Sequence, residues 1–294
     1  MMTSREKLGL ALGFAGVVLF GGTLPATRLA VVSFDPFFLS AARAAIAGVL
    51  GLATLIVTRR RWPPRQIMIE LIVTGVFTIV GFPVLIGFAM LTVPASHGGV
   101  VLGIMPLATA VCAVWLTHER PSNGFWIAST IGGAIVLGFV FWRAGGFAVE
   151  IGDLYLLGVV AVGALGYTMS GRLSAVLPGW EVISWQVAIF LPLTVAASLW
   201  WWPAPEVVPT ASALAGLVYV SLVSMFFAFF VFNAAMAYAG VSRIGQMSLL
   251  QPFVIVALSI PVNGEPFEPG TILFAAAVVA TVMIGQRMRV KRAS

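Results

Sequence analysis

The chain has 294 residues, of which 60% are hydrophobic and 9% are charged, and its formal net charge is +6. A soluble domain normally carries about 25% charged residues, so this composition excludes a soluble protein and predicts that lipid surrounds most of the chain. The single cysteine, Cys112, excludes a disulfide framework, and the sequence shows no metal-ligand spacing and no sign of a cofactor.

Pro, Gly and charge clusters divide the apolar sequence into ten segments, each close to the roughly 20 residues that cross a bilayer. In chain order they span 8–31, 36–58, 67–91, 95–117, 124–142, 152–173, 181–202, 212–237, 242–263 and 269–288. The first run is too long for a removable signal peptide and lacks a small-residue cleavage site. The predicted fold class is therefore an all-α polytopic membrane protein with ten transmembrane helices.

The distribution of basic residues orients these helices. If the N-terminus is cytoplasmic, the outer side receives only three of the 16 Lys and Arg residues, namely Arg28, Arg43 and Arg143. Cytoplasmic loops carry the excess of Lys and Arg in membrane proteins, so we expect both termini in the cytoplasm. The same short basic loops and tails are typical of topology signals and not of a nucleic-acid partner.

The second half of the chain repeats the first. Equivalent residues recur at an offset of 146: Ser96 and Ser242, Gly99 and Gly245, Pro106 and Pro252, Glu119 and Glu265. A second block recurs at an offset of 144: Gly22 and Gly166, Arg28 and Arg172, Ser40 and Ser184. Because each half holds five helices, an odd number, we expect repeats 1–146 and 147–294 to be inverted relative to each other. That arrangement is typical of transporters whose pathway lies between the halves.

Helix breakers at equivalent places in the two halves are the first pathway candidates. The clusters at 21–25 and 166–171 predict either close packing of small residues or local unwinding that exposes backbone groups to a substrate. Pro106 and Pro252 predict kinks within helices 4 and 9. The carbonyls freed near Leu102 and Ser248 would face the pathway, unless the kinks only shape the bundle.

Amides, hydroxyls and aromatic rings within the apolar segments complete the candidate pathway. A buried amide such as Gln186 or Asn233 either bridges helices or lines a wet cavity, and an aromatic ring either packs in the core or contacts a substrate. The candidate pathway residues are Gly22, Thr23, Pro25, Phe77, Gly81, Phe82, Pro106, Tyr167, Ser170, Trp185, Gln186, Phe229, Asn233, Ser248, Gln251 and Pro252.

Charged residues near the helix ends have simpler explanations. Arg43 lies about two turns inside helix 2, where we expect it to snorkel outward or to pair with an acid such as Asp35. The alternative is a cation on the pathway that binds a carboxylate. Glu119 and Glu265 are expected to cap the following helix or to form a salt link, and His97 is expected to be a satisfied helix-end residue.

One pattern occurs in both halves: small residues, then Pro106 or Pro252, then Glu119 or Glu265, and then an apolar helix. This pattern resembles the EamA repeat of the drug/metabolite transporter superfamily. The resemblance covers both halves and implies ten helices in an inverted five-plus-five repeat, cytoplasmic termini and a central cavity. Within the family the chain is most similar to bacterial inner-membrane exporters of aromatic and other neutral amino acids. Arg43 matches an arginine common in helix 2 of the first repeat, whereas Val187 occupies the equivalent position in the second.

These observations predict an exporter of small neutral or amphiphilic metabolites, including amino acids, and not an enzyme. The membrane interior lacks the dense basic cluster that phosphorylated sugars need, and the chain has no ATP-binding loop. No carboxylate lies within a helix interior, which favours alternating access without strong proton coupling. A multidrug or quaternary-cation exporter is the main alternative. A lipid-modifying enzyme is disfavoured because it would need clustered His, Asp or Glu, and a static receptor is disfavoured because it would need no inverted repeat. For the oligomeric state, a monomer is the simplest expectation.

Overall fold

The computed structural model describes residues 4–117, 120–121, 123–143, 149–174, 176–204, 206, 208–239, 247–287 and 290–291. Helices of the first half are α1 (Ser4–Gly21), α2 (Thr23–Ala30), α3 (Pro36–Val57), α4 (Arg65–Gly75), α5 (Phe82–Thr92), α6 (Ala95–Leu102), α7 (Met105–Thr117) and α8 (Asn123–Arg143). Helices of the second half are α9 (Ile151–Leu173), α10 (Gly179–Trp200), α11 (Ala211–Val218), α12 (Ala228–Ala239), α13 (Gln251–Asn263) and α14 (Pro269–Arg287).

Short irregular elements complete the fold. A first π segment (Val76–Gly81) joins α4 to α5, a second π segment (Tyr219–Phe227) joins α11 to α12, and a 3-10 turn (Ser248–Leu250) precedes α13. Within the described ranges, extended pairing is limited to β1 (Arg120–Pro121) and β2 (Val290–Lys291), which run antiparallel. The all-α class is therefore confirmed.

Six helical spans are long and apolar enough to cross a membrane: Ser4–Ala30, Pro36–Val57, Arg65–Thr92, Ile151–Leu173, Gly179–Trp200 and Ala211–Phe232. Four shorter apolar helices accompany them, at Ala95–Thr109, Trp126–Trp142, Gln251–Asn263 and Pro269–Ile284. The long spans are the first three segments of each half, and the short ones are the last two. The chain is thus a multi-pass membrane protein.

The two glycine clusters follow different alternatives of the two that the sequence left open. α1 ends at Gly21 and α2 begins at Thr23, so the first cluster does interrupt a helix. The second cluster lies inside α9, which continues as a regular α-helix through residues 166–171. Gly166 instead allows close packing, because a Cβ there would lie 2.7 Å from Thr78 Cγ2.

Equivalent helices of the two halves pack against each other in opposite directions. A Cβ at Gly48 would meet Leu191 and the Val187 carbonyl, whereas a Cβ at Gly51 would meet Val187 and the Ser184 carbonyl. Residue numbers therefore rise along α3 as they fall along α10. α6 and α13 show the same relation, since Gly99 lies on Ile255 and Gly103 on Pro252.

Small residues hold α3 and α10 at backbone contact distance. A Cβ built at Gly51 would lie 2.5 Å from Val187 Cγ2 and 2.9 Å from the Ser184 carbonyl oxygen. No larger residue fits without moving the helices apart, since the carbonyl belongs to a rigid backbone. This close approach replaces the hydrophobic driving force that is missing between helices in lipid.

We expect Gly51→Val to destabilise the protein by about 1–3 kcal/mol, the usual cost of overpacking a core. Thermal unfolding of the purified protein in detergent measures this as a lower midpoint. Gly138→Ala is the matched control, because a Cβ at Gly138 would have no neighbour within 4 Å. Equal midpoints for the two variants would contradict the packing described for α3 and α10.

Candidate functional site

The two ends of the bundle differ in how tightly they are closed. We call the end with Ser4 and the loops at 58–64 and 174–178 the N-terminal end, and the end with the loops at 31–35, 93–94 and 201–210 the far end. Residues 21–27 and 95–101, in the far-end parts of helices 1 and 4, are buried on every side. Towards the N-terminal end the same helices expose several faces. The space between the halves is therefore closed at the far end.

The far end is closed by a contact between Glu265 of the second half and the start of a helix of the first half. Glu265 accepts hydrogen bonds from the amides of Ala95, at 2.7 Å, and Ser96, at 3.1 Å, which begin α6. Its Oε1 lies 3.9 Å from Arg28 Nε, and Arg28 also donates to the Val93 carbonyl. Exposed amides at a helix N-terminus favour an anion, so this contact ties the halves together. Glu265 makes the expected salt link, but it caps α6 and not the helix that follows it.

Two further polar contacts strengthen the far-end closure. His97 Nε2 lies 2.7 Å from Asp153 Oδ1, and both side chains are buried. Asn263 Nδ2 donates to the Pro25 carbonyl at 3.1 Å. His97, near the start of α6, is thus paired with a carboxylate of the second half. A cavity of about 270 Å³ beside it is lined by Thr92, Glu150 and Asp153, among others.

Tyr167 marks where the interior opens towards the N-terminal end. Leu156, Val160, Gly163 and Tyr167 follow each other at helical spacing on the inward face of α9. The first three are buried, but Tyr167 is 41% exposed. Ser170, one turn further on, is also partly exposed. The inward face of α9 is therefore accessible from Tyr167 towards the N-terminal end, and we call the space beside Tyr167 and Ser170 the vestibule.

Arg43, on α3, has no acid partner among the described residues. Its side chain is only 4% exposed, which rules out snorkelling. Asp35 accepts instead from the Phe37 amide at 2.8 Å and caps α3, so the predicted Arg43–Asp35 pair is wrong. A charged arginine in a membrane interior costs about 2.5–3.5 kcal/mol on insertion scales, which makes its retention a functional signal.

The two π segments frame the same interior from both halves. Ile79 of the first and Met225 of the second share a hydrophobic cluster with Ala44 and Ala47, which follow Arg43 on α3. Thr78 Oγ1 lies 3.3 Å from Gln186 Oε1, so the predicted amide bridges α10 to the first π segment. A π segment inserts extra residues into a helix and is frequent at functional sites.

Gly22, Thr23 and Pro25 form the contact between helix 1 and the second half. A Cβ at Gly22 would overlap the Tyr219 hydroxyl, which donates to the Leu19 carbonyl at 2.9 Å. The Thr23 and Ser224 hydroxyls lie 2.7 Å apart. The break in helix 1 is therefore packed against the second π segment, and all three predicted residues are buried.

The predicted prolines lie in the first turns of their helices and not in mid-helix. Pro106 is the second residue of α7, directly after a break at 103–104, and Pro252 is the second residue of α13, after the 3-10 turn. A Cβ at Gly103 would lie 3.1 Å from Pro252 Cγ, so the two interrupted helices cross at these points. Gln251 is partly exposed beside this crossing. The side chains of Asn233 and Ser248 are outside the described residues.

The predicted aromatic residues separate into two groups. Phe82 lies 6.0 Å from Tyr167, centroid to centroid, and Phe77 lies against Gly166, so both line α9. The second group is Phe229, which contacts Phe20 of α1 with ring centroids 5.0 Å apart. Gly81, the predicted glycine between Phe77 and Phe82, lies against Val162 of α9.

Trp185 belongs to a buried cluster at the N-terminal end. Its ring lies 4.9 Å from that of Trp62, and its Nε1 donates to Glu181 at 3.3 Å. Glu181 also lies 3.5 Å from Arg60 Nε. No pattern in the sequence connects the loop at 58–64 with α10.

We expect Glu265→Gln to loosen the far end, because the neutral amide loses the pairing with Arg28 and one acceptor for the α6 amides. The loss of a helix cap costs about 0.5–2 kcal/mol. Hydrogen exchange of the peptide that contains residues 95–101 should therefore become faster. Glu70→Gln, which removes an exposed carboxylate at the other end, is the control. Unchanged exchange in Glu265→Gln would show that the cap does not hold this end closed.

Comparisons with known proteins agree with this architecture. The profile of the EamA-like transporter family matches residues 7–141 and 150–284. An uncharacterized transporter of Bacillus subtilis (strain 168), YdeK, is 39% identical over 94% of this chain and 96% of its own length. The aromatic amino acid exporter YddG of Ancylobacter novellus is 25% identical over 94% of this chain and 95% of its own.

A crystal structure also superposes on the fold, with a TM-score of 0.64 and 21% sequence identity over 96% of both chains. Among the described residues there is no group of three or more His, Cys, Asp or Glu that could hold a metal ion. Both halves of the chain match the same family, and one relative exceeds 30% identity along almost the whole length. The chain is a member of the EamA-like transporter family.

Proposed function

We propose that this transporter exports small neutral or zwitterionic amphiphiles, chiefly amino acids that include the aromatic ones, across a bacterial inner membrane. It has ten transmembrane helices in two inverted repeats, 1–146 and 147–294, with both termini in the cytoplasm. The substrate moves by alternating access between the halves, without ATP. The observation that carries the proposal is the interior that is closed at the far end and open from Tyr167 to the N-terminal end.

Antiparallel contacts between equivalent helices support the inverted repeat. α3 with α10 and α6 with α13 each cross a pseudo-symmetric boundary, and the cap that Glu265 places on α6 links the halves at one end only. Rocking of one half against the other would open the far end and close the N-terminal end. In this assignment the state described is inward-facing, because the basic loops lie at the open end.

The substrate class follows from the groups around the vestibule. Phe77, Phe82 and Tyr167 offer aromatic faces, while Thr78 and Gln186 offer hydrogen bonds. Such a lining fits a small molecule with an apolar body and a few polar groups. The name of the Ancylobacter novellus relative, an aromatic amino acid exporter, agrees with this chemistry. The remaining predicted residues, including Gln251 and Phe229, act as walls or supports of the pathway in this proposal.

Flux from proteoliposomes tests the substrate class. Vesicles loaded with labelled phenylalanine, methionine or threonine should release them saturably, with mutual competition and with no dependence on an imposed pH gradient. Tetraphenylphosphonium serves as the probe for the quaternary-cation alternative. Efflux of this cation without efflux of amino acids would replace the proposal by that alternative.

Cysteine accessibility tests the orientation in intact cells. Cys112→Ser gives a background without cysteine, because Cys112 is the single one. In that background we expect an impermeant maleimide to label Thr210→Cys at the far end in whole cells. Thr58→Cys, at the N-terminal end, should react only after permeabilisation. Both positions are exposed, so the reverse pattern would invert the proposed topology and turn the described state outward.

A further inference from the structure

Arg43 is a buried cation that has no neutralising group within the ranges that the structure describes. Its Nε is buried and has no hydrogen-bond partner, and across the described part of the chain its guanidinium makes neither a hydrogen bond nor an ion pair. The described carboxylates are at or near helix ends, where Glu265, Glu181 and Asp153 already have basic partners. Arginine stays protonated in proteins, so the positive charge remains in the bundle.

A second unpartnered donor lies directly beside it. Ser40 is three residues before Arg43 and therefore on the same face of α3, one turn nearer the far end. Its side chain is buried, and its Oγ has no hydrogen-bond partner. Serine hydroxyls in helices commonly bond back to the preceding turn, as Ser184 does here with the Trp180 carbonyl at 2.7 Å. Ser40 does not, so two neighbouring donors await an acceptor.

These donors lie on a buried face of α3 that is turned into the bundle. Ala44, the next residue on α3, packs in one cluster with Ile79 and Met225 of the two π segments, which frame the interior. Arg43 is seven residues, or about 10 Å, from the far-end start of α3. Tyr167 is on the open side, near the C-terminus of α9 and so towards the N-terminal end of the bundle. A molecule that enters the vestibule would pass Tyr167 first and reach Arg43 at the closed, far-end side.

We propose that Arg43, assisted by Ser40, binds the carboxylate of the transported molecule. The inference rests on the proposed function and names the group by which the substrate is recognised. The planar guanidinium presents a fork of N–H donors that matches the two oxygens of a carboxylate, and the hydroxyl of Ser40 adds one more donor. The ligand class is a monocarboxylate with an apolar body, whose body lies against Phe82 and Tyr167.

The two halves differ at this site in a way that explains a single binding site. Ser184 is equivalent to Ser40 but is already bonded within its helix, and the position equivalent to Arg43 is Val187, which is buried against Gly51. The second half therefore cannot form a copy of the site. One carboxylate binds off the pseudo-symmetry axis, on the α3 side of the interior.

Two ligands of the same shape test whether the site recognises the charge of a carboxylate. 3-Phenylpropionate and 3-phenylpropanamide differ only in the carboxylate, and their binding is measured by the shift in thermal midpoint and by competition against phenylalanine efflux. For the unmodified protein we expect the acid to bind and the amide to bind much more weakly. Arg43→Gln should weaken the binding of the acid by about tenfold to a hundredfold, the loss expected for a hydrogen bond to a charged group. The affinity for the amide should stay nearly unchanged.

Matched variants keep the test decisive. Arg61→Gln removes an exposed arginine at the N-terminal end and should change the affinity for neither ligand. Arg43→Lys keeps the charge but loses the fork, so an intermediate affinity for the acid is expected. If Arg43→Gln does not fold, as judged by gel filtration, Arg43→Lys and Ser40→Ala carry the same comparison.

The outcomes distinguish this inference from the proposed function. Phenylalanine efflux that persists while Arg43→Gln retains the preference for acid over amide would overturn the carboxylate site alone. Binding of 3-phenylpropionate that depends on Arg43, in a protein that carries no amino acid, would keep the site and overturn the proposed substrates. If the unmodified protein binds neither the acid nor any amino acid, the site is overturned as well.

Discussion

Close antiparallel packing between equivalent helices is the constraint on which this structure depends. Lipid offers no hydrophobic gain for bringing two helices together, so shape and backbone proximity must supply the attraction. Glycines such as Gly48 and Gly51 bring α3 to the backbone of α10, and Gly99 and Gly103 bring α6 onto α13. The positions of the vestibule, of the π segments and of Arg43 all follow from these contacts, because they fix how the two halves meet.

Among the described residues, charged groups are concentrated at the two ends of the bundle, with one exception. The far end is closed by Glu265 on the α6 amides and by the His97–Asp153 pair, and the N-terminal end has the cluster of Arg60, Glu181 and Trp185. Each buried charge at these ends has a partner, as burial requires. Arg43 departs from this rule among the described residues, which singles it out from every other charged group in the interior.

The sequence predicted the helical class, the family and most helix positions, because periodic apolar runs and the repeat are local signals. It left close packing and local unwinding open at both glycine clusters. Helix 1 breaks at Gly22, whereas α9 stays regular at Gly166, which packs closely on Thr78. Tertiary contacts decided that difference, and equivalent sequences do not determine them.

The π segments and the pairing of charges could not be predicted from the sequence, for a related reason. Gly81 and Pro83 offer a weak signal for the first π segment, but the second has no proline or glycine within it. Asp35 was assigned to Arg43 on proximity along the chain, whereas its place directly before α3 makes it a cap. Glu265 contacts residues about 170 positions away, a partnership that no local pattern reveals.

The cap on α6 also has a consequence for the populations of the transport cycle. Glu265 comes from one half and the amides of Ala95 and Ser96 from the other, so opening the far end must separate them. The opened state would then expose helix amides and a carboxylate that need water as a replacement, while the closed state keeps both satisfied. If the halves rock as proposed, this contact favours the state closed at the far end in the empty transporter, and only a ligand that prefers the other state would shift that balance.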